Sequence, residues 1–209
     1  MLPSMQFRSL LLTCLVAFAG VTIDGAAPLD GPAEAQAAIS IAYSLEELVD
    51  ASPQVVVAKA LEHRSIWETV ADSRRIVTYT KLQVVERVYG KSDKTLWVRT
   101  LGGAVGRIGQ HVGGEAEFHV GRRSLVFLMQ TQDGTLVVTG AAQGHFPVVP
   151  PKKEGEPTTV RLSHAMGKVL PRRGPSIPVQ AQLGGKQLDQ AIAKIRQTKR
   201  ERDALRNQR

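Results

Sequence analysis

One run, Arg75 to Tyr89, constrains the fold more than any other stretch of the chain. Its apolar positions start on one parity, at Leu82 and Val84, and then move to the other, at Val85 and Val88. A flat strand keeps one parity, because successive side chains point to opposite faces. A switch inside an unbroken run is what a bulge or sharp coil produces, and sheets that close on themselves need such corners. The flanking segments complete a β pattern. Val55 to Ala60 (VVVAKA) is short and rich in β-branched residues, so it reads as a buried strand. Gly90-Lys91-Ser92-Asp93 turns the chain into a third strand, Leu96 to Thr100. Ser124 to Gln130 is a fourth strand, Asp133-Gly134 a hairpin turn and Thr135 to Thr139 a fifth strand, with Gln143 to Val149 as a short extension. Residues 38–150 are therefore expected to form a closed barrel of five strands. Val56, Leu82, Val84, Leu96, Val98, Leu125, Phe127 and Val137 are expected to share its core.

Two helices are expected to flank the barrel. Ser44-Leu45-Glu46-Glu47 is a capping box that opens a helix over 44–51, ended by Ser52-Pro53. After Pro147 the chain becomes rich in Pro, Gly and charge, and residues 151–185 read as an extension with an edge strand at Thr158 to Leu162. From Lys186, Leu188, Ile192 and Ile195 recur at helical spacing on one narrow face. Beyond Thr198 that face is lost. Residues 186–209 carry eight bases against three acids. The first half of this helix is expected to dock on the barrel, and the second half to project as a solvated basic tail. Cutting the chain after Thr198 is then expected to leave stability nearly unchanged.

Residues 1–37 read as a secretory signal peptide. Arg8 supplies the positive start, Ser9 to Ile23 an apolar run too short to span a bilayer, and Ala35-Gln36-Ala37 a cleavage signal before Ala38. A rival site follows Ala19, in Ala17-Phe18-Ala19. The protein is thus expected to be periplasmic or extracellular, with no transmembrane segment in the mature chain. The single cysteine, Cys14, falls inside this leader, so the mature chain has neither a disulfide nor a thiol nucleophile. Removing the leader takes away Arg8 and three acids, which raises the formal charge from +8 to +10.

The chemistry visible in the sequence is sparse. There is no G-x-S-x-G elbow, no S-x-x-K pair and no H-E-x-x-H. His63, His111, His119, His145 and His164 show no pairing at helical or strand spacing. Glu115 and Glu117 stand at period two in a Gly-rich polar loop with no apolar pocket to raise a pKa, so they read as ordinary surface carboxylates. Leu101 to Gly114 holds six glycines in fourteen residues, next to Arg107. Its flanks are strands and it lacks a Lys-Ser/Thr ending, so it reads as a long hairpin across the barrel mouth rather than a phosphate loop. No cofactor or metal is expected. The basic excess leaves anionic lipid or polysaccharide as partners. Nucleic acid is disfavoured, because Tyr79, Trp97, Phe118 and Phe127 are scattered rather than gathered as stacking aromatics. The expected contact set is Lys199, Arg200, Arg202, Arg206 and Arg209.

The core resembles a family of exported bacterial proteins to which no activity is assigned. The matching residues run from Ser44-Leu45-Glu46-Glu47-Leu48 and Val55-Val56-Val57-Ala58 through Trp67 and Val77-Thr78-Tyr79-Thr80. They continue with Val84 to Gly90, Gly102-Gly103, Gly121, Leu125 to Leu128 and Gln143 to Val148. Ala58 stands where that family usually has glycine. More remotely, the order of elements is similar to the N-terminal domain of tissue inhibitors of metalloproteinases and to netrin-like modules. That resemblance implies a mainly β fold: a five-stranded OB-like β-barrel with a short N-terminal helix and a C-terminal helix. It does not carry over inhibition, which needs an N-terminal cysteine absent here. Two functions follow. One is an exported, non-enzymatic binding or structural module. The other is a secreted hydrolase-type enzyme whose site gathers loop residues such as His111, Glu115, Glu117 and His119.

Overall fold

The computed structural model describes residues 39–172 and 174–208. The expected leader over residues 1–37 and the tail residue Arg209 lie outside the described residues. The chain runs β1 (Ser40–Ile41), α1 (Leu45–Ala51), β2 (Gln54–Val70), β3 (Ser73–Tyr89), β4 (Thr95–Leu101), β5 (Gly103–Val105) and β6 (Ile108–Gln110). It continues with β7 (Arg123–Gln130), β8 (Leu136–Val138), a 3-10 turn (Ala141–Gly144), β9 (His145–Val149), β10 (Thr159–Val160), β11 (Val169–Leu170), α2 (Val179–Leu183) and α3 (Leu188–Asn207). The fold is mainly β with helices at the C-terminus. Among the described residues, no helix is long and apolar enough to cross a membrane.

Five strands close into a ring in the order β2-β3-β4-β8-β7, with β7 returning to β2. All the contacts in the ring are antiparallel except β4–β8, where Val98 faces Leu136 in parallel. β9 pairs with the first half of β7 and carries β10 on its outer edge. The corner in β3 falls where the sequence places it. Val56 faces Arg87 and Val55 faces Tyr89, leaving Val88 unpaired; Val85 is skipped in the same way between Val84 and Glu86. The two extra residues turn in different directions, with Val88 buried beneath the helices and Val85 in solvent.

The expected single core is in fact two. Val56, Ala58, Ala60, Leu82, Leu96, Val98, Val126, Leu128 and Val138 fill the ring interior, joined by Ala116 and Phe118 from the loop above. Leu125 and Phe127 do not join them. They sit on the opposite face of β7, with Val55, Val57, Phe146 and Val148, under α1, α2 and α3. Val137 is half-buried, and its neighbour Val138 takes the inward position. The reason is geometric: β2 and β7 are covered on both faces, so both parities of each strand are apolar.

The capping box of α1 forms as read, with Glu47 N–H donating to Ser44 Oγ and Ser44 N–H donating to Glu47 Oε2. Tyr89 closes the other end by donating its hydroxyl to the carbonyls of Val49 and Ser52. Burial, with Asp50 and Asp203 nearby, pushes that hydroxyl above its ordinary range. α3 buries Leu188, Ala191, Ile192 and Ile195, but its second half is not a free tail. Arg202 Nε and Arg206 Nη2 each donate to Asp50 of α1 at 2.8 Å, and Lys199 pairs with Asp203. The expectation of a projecting basic end is therefore corrected, because one acidic residue at the end of α1 clamps the last turns of α3.

Candidate functional site

The ring interior changes chemistry as it rises. Above Ala60, Leu82 and Val98, the inward positions of β2, β3 and β4 are polar, and strand register brings them together: His63 faces Thr80, Ser65 faces Thr78, and Thr78 faces Thr100. His63 Nδ1 lies 2.9 Å from Thr80 Oγ1, and Ser65 Oγ 2.9 Å from Thr78 Oγ1. Thr78 spends its hydrogen on the carbonyl of Gly102 at 2.7 Å, so Ser65 must be the donor to Thr78. The glycine-rich segment folds as the expected hairpin, β5–β6, held across the mouth by the Ile76 N–H, which donates to Gln110 Oε1 at 2.7 Å. Gly103 is pressed onto the hydroxyl pair. A Cβ there would stand 2.2 Å from Thr78 Oγ1, and its φ of +128° disfavours any side chain.

The loop Glu115 to His119 crosses the ring with strand-like alternation. Ala116 and Phe118 plug the interior core, while Glu117 and His119 face out. Together these parts enclose a cleft of about 380 Å³, lined by the mouth hydroxyls, Gln110 and the cluster His111, Glu115, Glu117 and His119. Glu115 and Glu117 differ, which corrects the reading of both as ordinary surface groups. Burial pushes the Glu115 carboxyl up, against backbone N–H bonds from Ala116 and Leu101 that pull it down. Glu117 is exposed, with His111 Nδ1 at 3.9 Å. Burial lowers His63, His119 adds to the effect, and a backbone hydrogen bond with Phe118 opposes it.

A second cleft, of about 370 Å³, shares Glu117 and His119 and lies on the far side of the same loop. His145 is buried at its floor, with Nε2 2.9 Å from Ser124 Oγ and the Phe118 ring edge-on at 4.8 Å. All five histidines of the chain thus line one cleft or the other. The first cleft gathers the loop set His111, Glu115, Glu117 and His119 named in the sequence, whereas nothing in the spacing of His63, His145 and His164 hints at their place, which strand register and loop closure set. Among the described residues, no group of three or more His, Cys, Asp or Glu is placed to hold a metal ion.

The basic residues singled out in the sequence lie on another face. Lys199 rests over the Tyr89 ring at 5.7 Å and pairs with Asp203, while Arg202 and Arg206 hold Asp50. Arg200 is exposed and has no ion pair among the described residues. The residues missed by sequence reading are Ser65, Thr78, Thr80 and Thr100. For Thr78, Thr80 and Thr100 the only signal was polar residues inside strands otherwise read as core, and Ser65 lay beyond the expected end of its strand. No protein-family model matches the chain, and no curated protein matches its sequence.

Proposed function

We propose that this protein is an exported binding module on an OB-like barrel, whose ligand sits in the polar ring mouth. The OB-like reading is supported by the ring order, in which the first, second, third, fifth and fourth strands succeed one another and the third and fifth run parallel. OB-type barrels bind oligosaccharides and oligonucleotides on the face of their second and third strands and on neighbouring loops, and Thr78, Thr80 and Thr100 belong to the second and third strands of this ring. The observation that carries the proposal is the register that sets His63, Ser65, Thr78, Thr80 and Thr100 above an apolar core, roofed by a glycine hairpin. Hydroxyls that pair with one another, as Ser65 and Thr78 do, beside the Gln110 amide and the Glu115 carboxyl, suit a neutral, hydroxyl-rich ligand, so the partner proposed is a saccharide end. Titrating neutral oligosaccharides into the protein is expected to shift the amides of residues 63–65, 78–80 and 100–103, and Thr78→Val is expected to weaken that binding. Absence of binding, or binding indifferent to Thr78→Val, would refute the mouth as the site.

One observation favours a second reading. A half-buried carboxyl raised above its ordinary range, beside histidines in a cleft, is what a general acid requires. Turnover of a glycoside, ester or peptide that Glu115→Gln abolishes would establish a hydrolase instead. Attachment to anionic envelope surfaces through Lys199, Arg200, Arg202, Arg206 and Arg209 completes the proposal. It rests on the positive charge of that helix and on outward-facing Arg200; Arg202 and Arg206 would have to leave Asp50 to take part. Vesicle association that falls steeply above about 0.15 M salt would support it.

A further inference from the structure

The second cleft has a chemistry of its own. One wall is Pro147, Val148, Val149 and Pro150, an apolar stretch in which the prolines offer no N–H. The other is built by Arg122 and Arg123, at the start of β7. Neither arginine forms an ion pair among the described residues, a state they share with Arg74, Arg75, Arg87, Arg107, Arg161 and Arg200; what sets them apart is that they are adjacent and line the same cleft. Arg123 also stands directly opposite Lys59 on β2, a like-charge pair that costs stability in a sheet unless something neutralises it. Glu117, the carboxylate on the rim, lies near His111. The floor presents hydroxyls rather than charge: Ser124 Oγ lies 2.9 Å from His145 Nε2, and Ser163 Oγ 3.5 Å from Nδ1.

We propose that this cleft is a binding site for a small organic anion, its headgroup held by Arg122 and Arg123 and its apolar body laid against Pro147 to Pro150. The two walls require both halves of that ligand. Guanidinium forks match the planar or tetrahedral oxygens of a carboxylate or phosphate. An inorganic ion would leave the apolar wall wet, and a neutral hydrocarbon would leave two arginines without an anion. A volume of about 370 Å³ is near the lower end of ligand pockets, sized for one headgroup and a short chain rather than a polymer. This site is separate from the ring mouth, and its ligand differs from the neutral saccharide proposed there.

The test uses a matched series of probes: octanoate, octyl phosphate, octanol, octylammonium and inorganic phosphate, each titrated into the purified protein and followed by backbone amide NMR. Octanoate or octyl phosphate is expected to saturate shifts at residues 122–124, 148–149 and 163–165, and the tighter of the two identifies the headgroup. Octanol and octylammonium, which cannot accept the arginine hydrogen bonds as an anion, are expected to bind at least about tenfold more weakly, since a charge-assisted hydrogen bond contributes roughly what a tenfold change in affinity requires; inorganic phosphate is expected to bind as weakly because it covers none of the apolar wall. Arg122→Gln and Arg123→Gln, made singly and together, are expected to weaken the anionic probes in steps while leaving the amide spectrum of β3, β4 and β8 unchanged. Octanol binding as tightly as octanoate, inorganic phosphate as tightly as octyl phosphate, or full affinity in the double variant would overturn the assignment. So would the absence of saturable shifts with every probe.

Discussion

Acidification should unfold this protein through one buried side chain. His145 is 1% exposed, with its ring nitrogens toward Ser124 and Ser163 and Phe118 against its edge. Burial, and secondarily His119, lower its pKa from 6.5 to about 4. The unfolded chain accepts a proton that the folded chain refuses. Stability is therefore complete above about pH 6.5 and drains as pH falls, until the loss saturates below about pH 4. The full gap corresponds to about 3 kcal/mol, of which about 2 kcal/mol is gone by pH 5 and almost none at pH 7. His63, also lowered, works in the same direction, whereas Glu115, raised by burial, works against both. The contribution of His145 must therefore be isolated as a difference. His145→Gln keeps a polar side chain between the two serines but cannot titrate. Urea denaturation of both proteins at pH 7, 6, 5 and 4 should show the wild type losing about 2 kcal/mol more than the variant between pH 7 and 5. Equal pH slopes, or an NMR titration that places the His145 ring near 6.5, would refute the reasoning.

Phe127→Ala removes a fully buried ring that packs edge-on to Phe146 at a centroid distance of 6.2 Å, and should cost about 3–5 kcal/mol in urea denaturation. Gly103→Ala drives a methyl into Thr78 and Ser65 at a positive φ, and should cost about 1–3 kcal/mol. Gly106→Ala, where nothing stands within 4 Å, should cost less when both variants are unfolded in urea. Truncation after Thr198 should lower the melting temperature and speed amide exchange in α1, because it removes Arg202 and Arg206 from Asp50. An unchanged melt would restore the solvated tail expected from sequence.

The fold was legible wherever a local pattern carries its own geometry. The capping box at Ser44 needs only four residues, and the parity switch at Val84–Val88 marks a bulge because side chains alternate without exception along a regular strand. Legibility failed where the cause is distant. β2 runs on to Val70, ten residues past the apolar run, because it is held by pairing with β3 rather than by burial of its own side chains. The turn between them is Ala71-Asp72, both at positive φ, without the Asn-Gly or Asp-Gly that would announce it. α2 is five residues long and exists to bury Val179 and Leu183, a contact that sequence spacing cannot show.

The candidate sites were the least legible part, and for a physical reason. Glu115 to His119 reads as a polar loop, yet it alternates like a strand: Ala116 and Phe118 complete the ring core and fix where Glu115, Glu117 and His119 stand. No partner strand announces that role. It follows from the interior, otherwise aliphatic, having room for one aromatic ring, a quantity set by all five strands together. The same plug divides the surface. On one side the inward face of β2–β4 ends in hydroxyls; on the other, the start of β7 ends in two arginines without acidic partners among the described residues. Phe118 is therefore the residue on which both clefts depend, since it touches the core beneath one and the His145 ring beneath the other. Phe118→Ala should loosen both together. Neutral saccharide and octanoate titrations would each weaken, while α1 and α3, which pack on the opposite face, would keep their slow amide exchange. Loss of one binding without the other would mean that the two clefts are held by separate parts of the fold.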